Sequence, residues 1–441
     1  MNMIFKTITA IFFLSCLLSC MKQDESMKKD IDTLAQDYVR LALTIGQYDK
    51  VFVDAYYGPD SLKPAAEPKN IFPKDSLTKE VYYLIAQLKD IETGEGNDTI
   101  KNRAGWMVDQ LLAFDRRLKI FASELSSFDA ESQELYGVTA PEYAQPHFKS
   151  LIEELDVILP GLGPIQVRFQ ELAKRFIIPK NKIDIVFKKA IEECRRRTKE
   201  YYQLPEEEKF SLEYVKDKSW SGYNWYKGNY TSLIQINTDL DIYIERAIDV
   251  GSHESYPGHH VYNMLLEKNL YNDRGLVEVS MYPLFSPQSL IAEGTANYGI
   301  EVVFPGDDKI NFAKDTLLPL AGLDTTGITV YFRALAIKSK LNYARNEAAR
   351  GIVNKTMTEE NAVKWLKDYA LFDSITAAKS ISFINENRSY VINYNYGMDL
   401  VKDYVENAIK ADPTPANRWK VFGDLMSRQV RIQDLKHKAK E

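Results

Sequence analysis

Apolar residues recur at spacings of three and four along most of this chain, and that period restricts it to a mainly helical architecture. The stretch IDIVFKKAIEECRRRT (183–198) is representative, with basic residues between the apolar ones forming a solvated face. The spacing predicts helices over about 27–48, 76–92, 98–125, 129–136, 147–158, 164–176 and 180–203, and again over 328–349, 357–371, 374–386, 395–410 and 415–436. Gly58-Pro59, Pro160-Gly161 and Gly163-Pro164 mark breaks. From 240 the chain turns helical, with Ile244 and Ile248 on one face and Val261, Met264 and Leu265 continuing it. Another helix starts at Ser286-Pro287, Ser as N-cap and Pro in the first position. Thr356 to Glu359 reads as a capping box. The pattern changes around 211–230, where SLEYVKDKSWSGYNWYKGNY reads as loop with short extended pieces. TSLIQINT (231–238) alternates and predicts a strand. As an edge strand it would hold an extended substrate by backbone pairing; a plain structural hairpin fits the pattern equally well.

The 441 residues suffice for one large domain or two lobes. A net charge of −6 with interspersed signs argues against a nucleic-acid partner. At the N-terminus, MNMIFKTITAIFFLSCLLSC places Lys6 before an apolar run too short to span a bilayer, then Leu17-Leu18-Ser19-Cys20. This layout is similar to a bacterial lipoprotein signal. It makes residues 1–20 a lipoprotein signal segment cut just before Cys20, Cys20 the lipid-bearing first residue, 21–30 a polar tether and 31–441 one helical catalytic unit, anchored to a membrane in the cell envelope. An ordinary secretory signal with an accidental Cys is the plain alternative. Cys16, Cys20 and Cys194 are the three cysteines, so the mature body holds one thiol and no internal disulfide; Cys194 sits on a helix face and reads as structural.

Three of the five histidines fall in one window, HESYPGHH (253–260). Residues i and i+4 of a helix lie ~6 Å apart on one face, the spacing by which two imidazoles meet one zinc. His259 is i+6 from His253, ~9 Å along and rotated by about 120°, and His260 is ~10.5 Å along. A regular helix brings neither to the same ion. Pro257 removes the hydrogen bond to the carbonyl of His253, and Gly258 tolerates unusual backbone. The pair predicts a two-residue bulge that delivers His259 to the i+4 place. Glu254 is then the general base that takes a proton from the attacking water. A third ligand must come from elsewhere, and Glu293 in EGTANYGIE is the candidate, with Gly294 allowing close approach and Asn297 orienting Glu293 or a His. The residues alone equally allow a helix terminus whose imidazoles satisfy carbonyls. They also leave open whether His259 or His260 is the second ligand.

HESYPGHH followed by EGTANYGIE resembles the bacterial domain-of-unknown-function family 885, whose members carry His-Glu-x-x-Pro-Gly-His and then Glu-Gly-x-Ala-x-Tyr. FVDAYYGPD (52–60), LSSFDAESQELYG (125–137), LPGLGP (159–164), WSGYNWYKGNYTSLIQINT (220–238) and RSYVINYNYG (388–397) extend the resemblance over roughly 40–410. The family's Asp-Thr-Gly-x-His-like stretch has no counterpart, since NEAARGIVNKTMT (346–358) holds neither His nor Asp. The family is grouped with gluzincin-type metallopeptidases. The resemblance implies a large, mainly α, two-lobed metallopeptidase-like fold with a small β element beside the metal helix. It implies one Zn2+ on His253, His259 and Glu293, Glu254 as base, and His260 beside the site or on substrate. Arg388, Tyr390 and Tyr394 become cleft residues, a phenol donating to the developing oxyanion and Arg388 binding a substrate carboxylate; aromatic packing and a surface cation are the plain alternative. The implied activity is hydrolysis of short peptides. An ester or cell-wall amide as the acyl substrate, or a non-catalytic peptide-binding lipoprotein, are the competing readings. His and Glu donors suit manganese and cobalt as well as zinc.

Overall fold

The computed structural model describes residues 30–68, 70–218 and 220–437. The expected signal, Cys20 and all of the tether but Asp30 lie outside them. Helices α1 (Ile31–Tyr48), α2 (Lys74–Thr93) and α3 (Asp98–Phe121) close over a core of their own, in which Leu34, Tyr38, Val81, Met107 and Phe114 are fully buried. Each such side chain contributes about 1.5–3 kcal/mol of burial. A larger core gathers α4 (Phe128–Tyr136), α5 (Gln145–Ile158), α6 (Ile165–Ala173), α7 (Ile183–Lys199), α8 (Ile244–Glu254), α9 (His259–Leu266), α10 (Pro287–Val303), α11 (Ile328–Leu341), α12 (Tyr343–Val353), α13 (Glu359–Tyr369), α14 (Ser374–Asn387), α15 (Ile392–Ala408) and α16 (Pro415–Met426). Cys194 is buried in it and its thiol is pushed up by that burial. No helix among the described residues is long and apolar enough to cross a membrane.

Strand β1 (Val53–Tyr56) pairs antiparallel with β5 (Met281–Pro283). Between them in sequence, β2 (Lys209–Val215), β3 (Gly222–Gly228) and β4 (Thr231–Asn237) form a second sheet in the order β2-β4-β3. This corrects three expectations. The stretch 209–228 is two regular strands rather than loop, and Phe210, Leu212 and Tyr214 already carry the period-2 signal. β4 is the central strand, parallel to β2 and antiparallel to β3, so its backbone is paired on both sides and cannot take a substrate strand. The strand beside the metal-motif helix is β3: Asn224 Nδ2 donates to the Glu254 carbonyl at 2.6 Å. The cap of α13 also shifts. Thr358, not Thr356, accepts from the Asn361 backbone N–H.

α10 begins where Ser286 and Pro287 predict, the Ser286 side chain accepting from the Ser289 N–H. It is buried along nearly its whole length and packs against α8 and α15. Gly294 makes the α15 crossing possible: a Cβ there would stand 2.3 Å from the Gly397 carbonyl oxygen.

Glu245, in the first turn of α8, is buried and accepts from the Tyr331 hydroxyl at 3.0 Å. Burial, then Asp249, raises its carboxyl from 4.5 to about 7. A raised acid binds its proton more tightly folded than unfolded. Its contribution is therefore full below pH 4.5 and lost as pH rises toward 7, to a penalty of about 3 kcal/mol. Glu245→Gln keeps the acceptor without the charge. Denaturant unfolding is expected to show it more stable than wild type by up to ~3 kcal/mol at pH 8 and by no more than about 0.5 kcal/mol near pH 4.5. Equal stability at pH 8 would mean that Glu245 is not a buried charge.

Candidate metal centre

The motif does not make a bulge inside one helix. α8 ends at Glu254, residues 255–258 turn, and α9 starts afresh at His259 with Gly258 as its N-cap. The Tyr256–Pro257 bond is cis. The Gly258 N–H donates to the Ser252 carbonyl at 3.2 Å, and the Gly258 carbonyl accepts from Tyr262 N–H at 2.9 Å, so the turn is tied to both helices. Ending one helix and starting another discards the i, i+6 phase that separates the two imidazoles. The Nε2 atoms of His253 and His259 come within 3.1 Å of each other.

Glu293 completes the group from the first turns of α10. Its Oε2 lies 3.3 Å from His253 Nε2 and 3.8 Å from His259 Nε2. The three donors fall within 4.8 Å of one another, a grouping that does not include His260. Donors ~2.0–2.1 Å from a tetrahedral ion are about 3.3 Å apart, and the separations here of 3.1, 3.3 and 3.8 Å bracket that spacing. The chemistry of the oxygen agrees. Glu293 Oε2 is buried and without a hydrogen-bond partner, an expensive condition unless a cation satisfies it. Against its burial, the two imidazoles hold the Glu293 carboxyl well below the usual range. Burial works against protonation of His259, but Glu293 and Glu254 prevail and lift its imidazole to about 9. The donor set therefore fits a divalent cation.

The supporting contacts fix each donor. Asn297 Nδ2 donates to the Tyr394 carbonyl at 2.8 Å, which turns its Oδ1 toward His253 Nδ1 at 3.0 Å. An amide oxygen only accepts, so Nδ1 carries the imidazole proton and Nε2 keeps its lone pair. Tyr390, buried, donates its hydroxyl to Glu293 Oε1 at 2.8 Å, leaving Oε2 for the cation. Burial and the Glu293 charge push that phenol well above 10, so it stays a donor. Glu254, 6% exposed, is raised by burial and lowered by His253 and His259.

The other candidates separate. Tyr394 is half-buried, and its phenol is raised by burial and by the charges of Glu293 and Glu254. It stands at the site without joining the donor set. His260 faces away from it. Fully buried, it lies between Ser232 Oγ at 2.8 Å and Glu208 Oε1 at 3.0 Å, and Tyr256 and Arg195 also bind Glu208. His260 thus clamps the helix break to β4. Arg388 caps α14 and its Nε meets the buried Glu131 at 2.7 Å, so its charge is already matched. Asp54 of β1 escaped sequence reasoning. It accepts from the Tyr223 hydroxyl. Burial lifts it to about 6, with Tyr223 and His259 opposing and Glu293 and Glu254 adding to the rise. Only its place in FVDAYYGPD pointed to it.

No family model matches the chain, and no curated protein does. Solved structures do. A candidate lipoprotein from Colwellia psychrerythraea aligns with a TM-score of 0.53 at 12% identity, over 83% of this chain and 69% of that one. Trypanosoma cruzi metallocarboxypeptidase 1 gives 0.45 at 10% identity over 93% and 95%, and a candidate lipoprotein of unknown function from Shewanella oneidensis gives 0.44 at 12% over 80% and 73%. The first likeness shows a shared helical fold; the other two carry no inference. The resemblance to family 885 rests on the segments quoted above.

Proposed function

We propose that this chain is a zinc-dependent peptidase, carried on the cell envelope by a lipid at Cys20, that hydrolyses short peptides. The observation that carries this reading is the unpartnered Glu293 Oε2 facing two imidazole Nε2 atoms, with Glu254 one residue from His253. When bound, zinc supplies Lewis acidity toward a carbonyl and acidifies water. The chain's own residues do the rest. Glu254 takes the proton of the attacking water and passes it to the leaving amine. Asn297 and Tyr390 hold His253 and Glu293 in place. Tyr394 donates its hydroxyl to the developing oxyanion. The acidic balance of the chain goes with a peptide rather than a nucleic-acid partner.

Metal content of purified residues 21–441 tests the reading. About one zinc per chain is expected in the wild type and none in His259→Ala, since two donors hold the ion far more weakly than three. A wild type that retains no metal after zinc is offered and washed away would remove the peptidase reading and leave residues 253–260 as a helix junction.

A further inference from the structure

We propose that Arg345 receives a substrate carboxylate, so that this site takes peptides with a free carboxyl end close to the scissile bond. The inference rests on the hydrolase reading of the His253, His259 and Glu293 site.

Buried and half-buried arginines elsewhere among the described residues meet carboxylates. Arg103 meets Glu278, Arg117 meets Asp49, Arg350 meets Glu347, Arg388 meets Glu131, and Arg431 meets Asp109. Arg345, in the first turn of α12, has no such partner among the described residues. Its Nε is buried without any hydrogen bond, and its guanidinium lies over the Phe383 ring at 4.5 Å. Burial depresses its pKa, with Tyr394 opposing. An arginine does not deprotonate in a protein, so the unmet cation stays charged. The side chain is half-buried, so solvent reaches it. An anion arriving there would supply the missing partner, and a planar guanidinium suits a carboxylate in two-point contact.

Arg345 stands on the metal site's side of the molecule. Tyr394 is within electrostatic reach of Arg345, Glu293 and Glu254 at once. Phe383, beneath the guanidinium, packs at a tilt against Tyr394 with ring centres 6.1 Å apart. Asn346 and Asn395, the next residues of each segment, exchange two amide hydrogen bonds of 3.0 Å and fix α12 against α15. Arg246 is another cation near Glu254, but its Nη2 already donates to Ser221 Oγ at 2.9 Å.

The test compares an N-acetyl dipeptide with its C-terminal amide on zinc-loaded protein carrying Glu254→Gln, so that neither is consumed. Calorimetry is expected to show the acid binding at least about tenfold more tightly, the scale of one charge-assisted pair. Adding Arg345→Met should bring the ratio to about one while leaving the amide's affinity unchanged. Arg345→Lys keeps the stem and charge, guards against misfolding, and should lower the ratio in part. Equal affinities with Arg345 present, no detectable binding of either peptide, or a preference that survives Arg345→Met and falls only with Arg246→Met would each overturn the proposal. Turnover by the unmodified protein is read separately. If it cleaves no peptide, the peptidase reading falls while the binding ratio still decides Arg345. If it cleaves acids and amides alike and the ratio is one, Arg345 falls and the peptidase reading stands.

Discussion

Glu254→Gln is expected to lower kcat for peptide hydrolysis by roughly 10³-fold or more while zinc content stays at that of the wild type. General acid–base groups contribute about 10²–10⁴ in rate, and no second carboxylate can replace this one. Glu293 is bound by Tyr390 on one oxygen and faces the imidazoles with the other. Asp54 is held by Tyr223 from a different strand. Glu254 belongs to α8, and its main-chain carbonyl is fixed by Asn224, so its side chain starts from a defined backbone. Burial raises it above the usual carboxylate range, which makes it a better proton acceptor near neutral pH than an exposed Glu. Gln has the same size and cannot take the proton. Glu254 is outside the donor set, so the ion remains. Steady-state kinetics with metal analysis of the same sample reads both effects. A variant within tenfold of wild type would remove Glu254 from the proton path; a variant that loses zinc as well would show that it holds the ion.

The helices were legible because their packing is local in sequence. Spacings of three and four in 183–198 set which face of α7 is buried, and Ser286-Pro287 fixed the start of α10 by capping chemistry contained in four residues. The sheet was less legible. β2 carries an alternating pattern at Phe210, Leu212 and Tyr214, but β3 begins and ends in Gly222 and Gly228, and the Gly- and aromatic-rich run around them hid the pairing with β4. At the site, the motif brought His253, Glu254 and His259 forward, the need for a third ligand brought Glu293, and the resemblance implied the same set. The break itself was misread as a bulge, since Pro-Gly marks an interruption without saying whether one helix resumes or a second begins. That difference decides His260. In a new helix consecutive residues diverge by about 100°, so His259 can face the donors only if His260 turns away, here to Ser232 and Glu208. Asp54 and Arg345 were out of reach because their roles are set by distant partners: an ordinary Asp beside Tyr223 and His259, and an Arg distinguished by the carboxylate it lacks.

Gly258→Ala is expected to cost about 3 kcal/mol or more of stability and to weaken zinc binding by about 100-fold, a larger effect than any other one-carbon change at the site. The Gly258 φ is −75°, outside the left-handed region, and it is space that demands glycine here. A Cβ at 258 would stand 1.9 Å from the His253 carbonyl oxygen and 2.5 Å from that of Ser252. Neither is the tip of a flexible side chain. Both are backbone atoms of the last turn of α8, one of them on the residue that carries the first donor. Relief must come from moving α9 away from α8, and that motion pulls His259 Nε2 off His253 Nε2 and out of reach of Glu293 Oε2. Clamped at His260 by Ser232 and Glu208, the start of α9 cannot swing freely to compensate. Gly251→Ala is the matched control, one residue of the same kind seven positions earlier. Its Cβ would meet Ile191 Cγ1 at 3.4 Å, an ordinary contact, and Ala improves an α-helix interior by up to about 1 kcal/mol. Thermal unfolding and competitive zinc titration on the two variants should therefore diverge, with Gly251→Ala near wild type in both. Stoichiometric zinc of wild-type affinity in Gly258→Ala would mean that the close approach of the two helices is not what assembles the donors.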